Sequence, residues 1–306
     1  MSNVSQHLLS GALSGLTSSL FLQPFDLIKT RLQQGDPSLK TTQAGTIRSI
    51  TRAIVSSSGV FGLWRGTSAT LIRNVPGISF YMTGLNQVRG FMSVSPLFAT
   101  VRKRDSEKHS SVLPVLTNSG NLLAGATTRV AVGFVLNPFS VLKARYESNL
   151  HNYASLMSSV RSIIRAGPSD LFRGFLASSL RDAPNAGLFL VLYEGIKHEA
   201  GSLIPSSSPL VLAALHSGSG AAAGTIATLA THPFDVIKTR LQVRTEEKYH
   251  GLTRTVLTVW NERGIYGFFD GASLRLSRKI LSSAIGWAVY ESLLLFARTN
   301  SLKEVA

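Results

Sequence analysis

Three arginines stand at one fixed register in this chain. Arg73, Arg181 and Arg278 each follow a glycine (Gly66, Gly174 or Gly271) by seven residues. Each also precedes Asn86, Glu194 or Glu291 by 13 residues, about 20 Å of helix. Side chains spaced in this way on three equivalent helices share one depth and face one central cavity. Their next neighbours are Asn74, Asp182 and Lys279. A guanidinium fork grips a carboxylate through two parallel hydrogen bonds, and Asp182 offers an acceptor to an ammonium. This is chemistry for holding a small charged solute. Bond-making chemistry has little to stand on. The chain has no Cys, hence no thiol nucleophile, thiolate metal site or disulfide. His216 and His232 sit singly in apolar runs, where a packed histidine is expected, and no metal or cofactor site is indicated.

A second set of charges recurs three times. Pro24 to Arg31 reads Pro-Phe-Asp-Leu-Ile-Lys-Thr-Arg, Pro138 to Arg145 reads Pro-Phe-Ser-Val-Leu-Lys-Ala-Arg, and Pro233 to Arg240 reads Pro-Phe-Asp-Val-Ile-Lys-Thr-Arg. Self-similarity at a spacing of about 100 residues marks three copies of one supersecondary unit. Each copy ends an apolar run with an acid and a base, Ser140 replacing the acid in copy two.

The elements that position these residues read as membrane helices. Hydrophobic residues make up 44% of the chain and charged residues only 15%, yet the net charge is +15. In a membrane that balance suits anionic lipid and an anionic solute. Six candidate spans appear: Leu8 to Phe25, Asn74 to Val88, Thr117 to Leu142, Phe175 to Tyr193, Ala200 to Phe234 and Ala272 to Tyr290. Hydropathy alone favours the first and fifth, against a need of roughly 20 apolar residues. The repeat extends the assignment to the other four. Amphipathic stretches at Thr46 to Val55, Tyr153 to Ile164 and Gly251 to Trp260 read as short surface helices. Ser95 to Ser119 reads as a polar linker, and the N-terminus shows no basic segment of a secretory signal. Pro24, Pro138 and Pro233 are expected to bend the first helix of each copy. Gly11 with Gly15 and Gly220 with Gly224 form close-approach pairs, and Arg129 stands where copy two would continue that pattern after Gly125.

Pro-x-acid-x-x-base-x-base in triplicate, with six spans in 306 residues, resembles the mitochondrial carrier family. Trp64-Arg65-Gly66 and Phe172-Arg173-Gly174 match its aromatic-basic-glycine element, and Phe269-Asp270-Gly271 departs from it. The resemblance implies an all-α membrane protein of three pseudo-symmetric repeats, over residues 1–95, 118–200 and 209–300. It also implies alternating access to one central site in the mitochondrial inner membrane, and a monomer. The arginine level becomes the substrate site: Arg73, Asn74, Arg181, Asp182, Arg278 and Lys279.

In such a ring each signature acid can meet the base of the next copy, forming a matrix-side gate. Asp26 would face Lys143 and Asp235 would face Lys29. Ser140 leaves Lys238 without a full partner. Gln33 and Gln242 occupy bracing positions, with Glu147 at the third. At the other end, the family's aromatic-acid-x-x-base pattern maps onto Tyr193, Glu194 and Lys197, then Tyr290 and Glu291, with Arg89 in copy one. Pairing bases to the next copy gives Arg89 with Glu194 and Lys197 with Glu291 at a cytoplasmic gate. Asn86 and Leu294 have lost charge together, as a paired site predicts.

Within the family, Tyr146-Glu147-Ser148, Phe172-Arg173-Gly174-Phe175, Arg181-Asp182-Ala183-Pro184 and Tyr193-Glu194 resemble the branch that carries glycine into the matrix for haem synthesis. One arginine and one aspartate meet both charges of such a zwitterion. The surplus of arginine leaves open another amino acid or a phosphorylated anionic metabolite. Cardiolipin is implied as a lipid partner at Trp64 to Gly66 and Phe172 to Gly174, where helix N-termini attract phosphate. Asp270 would weaken the third such site. A pI near 10.6 also permits nucleic-acid binding, but the basic residues are spread at repeat positions, not clustered with stacking aromatics.

Overall fold

We describe residues 3–35, 43–94, 118–151, 153, 155–203, 209–285, 288 and 292 of a computed structural model of the protein. Among these residues the chain is helical, with no strand. Copy one comprises α1 (Asn3–Gln33), the surface helix α2 (Gln43–Ser58) and α3 (Thr67–Ser93). Copy two comprises α4 (Asn118–Val135), α5 (Asn137–Glu147), the short helices α6 (Leu156–Ala166) and α7 (Pro168–Leu171), and α8 (Phe175–Leu203). Copy three comprises α9 (Pro209–Ala230), α10 (His232–Val243), α11 (Leu252–Gly267) and α12, residues 272–285. Most of the expected linker, residues 95–117, lies outside the described residues.

Among the described residues no single helix is both long and apolar enough to cross a membrane. Ser119–Val135 with Asn137–Glu147 meets that measure as a pair, bent by 65°. Serine, threonine, glycine and the charged residues dilute the long helices, so the repeat carries the count of spans and hydropathy does not.

The prolines act unequally. Copies two and three break at Leu136 and Thr231, just before Asn137-Pro138 and His232-Pro233. Pro138 and Pro233 thus open α5 and α10, where a missing N–H leaves no hydrogen bond unmade. Pro24 differs: α1 runs through it as one helix. Proline removes one bond from a helix but does not by itself require an interruption.

The chain divides into two compact units. One comprises Met1–Ile72, Leu142–Ser162 and Asp270–Ala306; the other comprises Arg73–Val141 and Ile163–Phe269. In the first, Leu27 and Leu32 of α1 pack with Ile50 and Ile54 of α2 and Leu274 of α12. In the second, Ala177 of α8 packs with Ile237 and Leu241 of α10, Val259 of α11 and Phe268. Both clusters join a signature helix to a surface helix and to the start of an even-numbered span. That packing fixes the charged ends of α1 and α10.

Candidate functional site

In the first unit the signature charges form a connected network. Lys143 Nζ lies 2.7 Å from Asp26 Oδ2, joining the acid of copy one to the base of copy two. Arg278 of the arginine level also binds Asp26. Glu147, 1% exposed, accepts hydrogen bonds from Gln23 at 2.9 Å and Thr30 at 2.8 Å. It stands 3.6 Å from Lys143. Arg31 Nε donates to the Glu147 carbonyl at 3.3 Å. Thr70 Oγ1 donates to Gln23 at 2.9 Å, and Gln23 donates to the Arg65 carbonyl at 3.2 Å. A buried carboxylate persists only when its lone pairs are occupied, and here four side chains attend to Glu147 or its main chain.

The second unit holds the other two arginines of that level, Arg73 and Arg181. Arg181 Nε and Nη2 grip Asp182 at 2.7 and 3.0 Å, while Nη1 donates to Asp235 Oδ1 at 2.7 Å. Arg181 therefore bridges the carboxylate expected to meet an ammonium and the signature acid of copy three. Arg73 Nη1 contacts Asn74 Oδ1 at 3.4 Å. Lys279 lies exposed on α12. Ser140 and Lys238 are 9% and 8% exposed, and among the described residues Lys238 makes no ion pair within 4.0 Å. The expected neighbours Lys29, Gln33 and Gln242 lie on α1 and α10, the two glutamines fully buried or nearly so.

Three glycines show how one copy engages the next. Gly66, Gly174 and Gly271 have φ of 95°, 74° and 77°, conformations that favour a residue without Cβ. A Cβ on Gly66 would lie 2.8 Å from Glu147 Cγ, and one on Gly174 would lie 2.9 Å from Gln242 Cγ. On Gly271 it would lie 3.5 Å from Gln33 Cγ. Each glycine thus abuts the bracing position of the following copy, in the order one to two, two to three, three to one. Each glycine carbonyl also accepts the first helical bond of α3, α8 or α12, which leaves the amides of that first turn outside the helical ladder.

The opposite ends of the even helices differ. Among the described residues Arg89 makes no ion pair within 4.0 Å, with Glu194 or any other acid. Lys197 Nζ sits over the Tyr193 ring, 5.9 Å from its centroid, and the Tyr193 hydroxyl meets His216 Nδ1 at 3.2 Å. Tyr290 and Glu291 lie outside the described residues.

Some contacts escaped the sequence. Gln23 and Asn137 precede equivalent prolines, and both donate to loop carbonyls of their own copy, Asn137 at 2.7 Å to Leu171 and 3.3 Å to Arg173. His232 holds the third such position and stacks on Phe269 at 6.2 Å. Comparing the residue before each proline would have found this set. Arg129 lies over the Tyr81 ring at 5.1 Å, which gives that departure from the small-residue pattern a packing partner. Arg240, fully buried, binds Glu262 of α11 at 2.7 Å. Lys248 and Tyr249 share Glu262 at 3.1 and 2.9 Å. Burial pushes the Glu262 carboxyl up, but these donors and the Arg240 charge hold it below its ordinary value.

A family profile described as mitochondrial carrier protein matches residues 1–95, 115–202 and 212–301. The chain is 61% identical to a Laccaria bicolor protein named mitochondrial glycine transporter, over 98% of this chain and 100% of that one. Proteins of the same name from Coccidioides immitis and Emericella nidulans are 40% and 42% identical. Those alignments cover 97% and 98% of this chain and 91% of each relative. Three matched repeats and near-complete relatives place the chain in the mitochondrial carrier family.

Proposed function

We propose that this carrier moves glycine across the mitochondrial inner membrane by alternating access, with Arg181 and Asp182 as the central substrate contacts. The observation that carries this reading is the Arg181 cluster. Its guanidinium is already matched to Asp182 and Asp235. A buried charge stripped of its partner is costly. A zwitterion can enter such a cluster without stranding any member: its carboxylate takes the Arg181 fork while its ammonium takes Asp182. An anion would satisfy Arg181 and leave an aspartate unmatched. A cation would do the reverse. The names of the three relatives point to the same solute. Import of that glycine for haem synthesis follows from the family branch the sequence resembles.

In this reading Asp26 with Lys143 belongs to the matrix-side gate, joined by Lys29, Gln33, Ser140, Asp235, Lys238 and Gln242. Arg89, Glu194, Lys197, Tyr193, Tyr290 and Glu291 form the cytoplasmic one. The made contact at Asp26 and the unmade one at Arg89 suit a state closed toward the matrix. Arg73, Asn74, Arg278 and Lys279 complete the substrate level. Cardiolipin phosphate binds the first-turn amides after Gly66 and Gly174.

Uptake of labelled glycine into liposomes containing the purified protein tests the assignment. Unlabelled glycine should compete, and phosphorylated metabolites should not. Competition by the phosphorylated compounds alone would assign the site to them.

A further inference from the structure

Four side chains of the first unit form a row of alternating charge. Arg278 binds Asp26. Asp26 binds Lys143 at 2.7 Å, and Lys143 stands 3.6 Å from Glu147. The middle link joins α1 to α5 and is the matrix-side contact proposed above. The link to Glu147 is of another kind. Lys143 and Glu147 lie four residues apart on one helix, where side chains are neighbours, so this pairing does not depend on α1.

An acid is an unfavourable choice at position 147. Glu147 is 1% exposed and is the last residue of α5, where the helix dipole disfavours negative charge. The equivalent positions, also four residues after a signature lysine, are Gln33 and Gln242. An amide thus fills the same place in copies one and three without a charge. The contact seen here gives no reason to prefer a carboxylate, but its breaking does. Gln23, Asp26 and Thr30 all belong to α1. If α1 and α5 part, Lys143 loses Asp26 while Glu147 loses the hydrogen bonds from Gln23 and Thr30. A buried charge without a partner is costly, and these two are opposite in sign and already within ion-pair distance.

We propose that Glu147 is the reserve counterion of Lys143, taking over its ammonium when the Asp26 contact breaks. Cutting the middle link of the row leaves two complete ion pairs, Arg278 with Asp26 and Lys143 with Glu147, and strands neither the acid nor the base. Glu147 is then a positioning residue for transport: it never touches the solute, and it lowers the barrier to opening. The inference rests on the matrix-side gate and is independent of which solute is carried.

The rate of opening can be read without transport. The chain has no Cys, so Ser140→Cys provides a single target for a water-soluble maleimide. Ser140 lies on α5 three residues before Lys143 and is 9% exposed, so labelling of the purified protein in detergent reports opening. In this background Asp26→Asn, which cuts the middle link, should speed labelling. Glu147→Gln should slow it roughly tenfold, because opening then strands Lys143. Glu147→Asp, shorter but charged, should slow it less. A merely structural role would rank these two the other way, since glutamine matches glutamate in size. With Lys143→Gln also present there is no ammonium to strand, and Glu147→Gln should slow nothing. Unslowed labelling in Glu147→Gln, slower labelling in Glu147→Asp than in Glu147→Gln, or a slowing that persists without Lys143 overturns the exchange and leaves the gate standing. Unchanged labelling in Asp26→Asn removes the gate, and the exchange with it.

Discussion

Gly66 stands so close to Glu147 that a side chain on the glycine would overlap the glutamate: an added Cβ falls 2.8 Å from Cγ. Glu147 cannot easily give way, because Gln23 and Thr30 fix its carboxylate. The aromatic-basic-glycine loop of copy one and the bracing residue of copy two are therefore fitted to each other.

Gly66→Ala should destabilise the protein by about 1–3 kcal/mol, from backbone strain at positive φ together with this overlap. Gly90→Ala is the control. It lies within α3 with nothing within 4 Å of its added Cβ, and alanine is the better helix former. Thermal midpoints in detergent should separate the two, and equal midpoints would refute the fitted contact.

Asp182→Asn keeps size and removes the ammonium partner. Arg181→Lys keeps charge and loses the fork. Each should cut glycine uptake at least tenfold, about 1.4 kcal/mol. Wild-type uptake by Asp182→Asn would exclude the zwitterion exchange at Arg181.

Charge reversal tests the proposed cytoplasmic gate. Arg89→Glu and Glu194→Arg should each lose transport, since the gate must close once per cycle. The double variant restores opposite charges and should recover part of the rate, with a coupling of roughly 0.5–3 kcal/mol. Strictly additive losses would show that Arg89 and Glu194 never pair.

Glu262 links α11 to the end of α10. Its carboxyl is held below the ordinary 4.5, with burial opposing the hydrogen bonds from Lys248 and Tyr249 and the charge of Arg240. A depressed folded value means stability that is present above the unfolded value and lost as pH falls through the folded one. The wild-type midpoint should therefore drop between about pH 5 and pH 3. Glu262→Gln should start lower and show a shallower drop across the same range. Parallel profiles would count against the linkage.

Much of this was legible because repetition multiplies weak signals. Asp26 with Lys143 followed from one rule applied around a ring. The isolation of Lys238 followed from the single serine that breaks the rule. The double engagement of Arg181 was not legible. Spacing places Arg181 and Asp235 on different helices at different depths, and only the length and fork of the side chain bring them within 2.7 Å. The same holds for Arg278 and Asp26. Sequence sets the arginines apart from the signature acids, whereas in three dimensions Arg181 and Arg278 each reach one. The uneven effect of the prolines was also hidden, since Pro24, Pro138 and Pro233 sit in near-identical octapeptides.

That unevenness bears on the Asp26–Lys143 contact. Lys143 rides on α5, past the break at Leu136, where Ser119–Val135 and Asn137–Glu147 meet at a bend of 65°. Asp26 rides on α1, which runs as one helix through Pro24. The two ends of this ion pair therefore hang from helices of different continuity, and the interrupted one belongs to copy two, whose own signature position is the one without an acid.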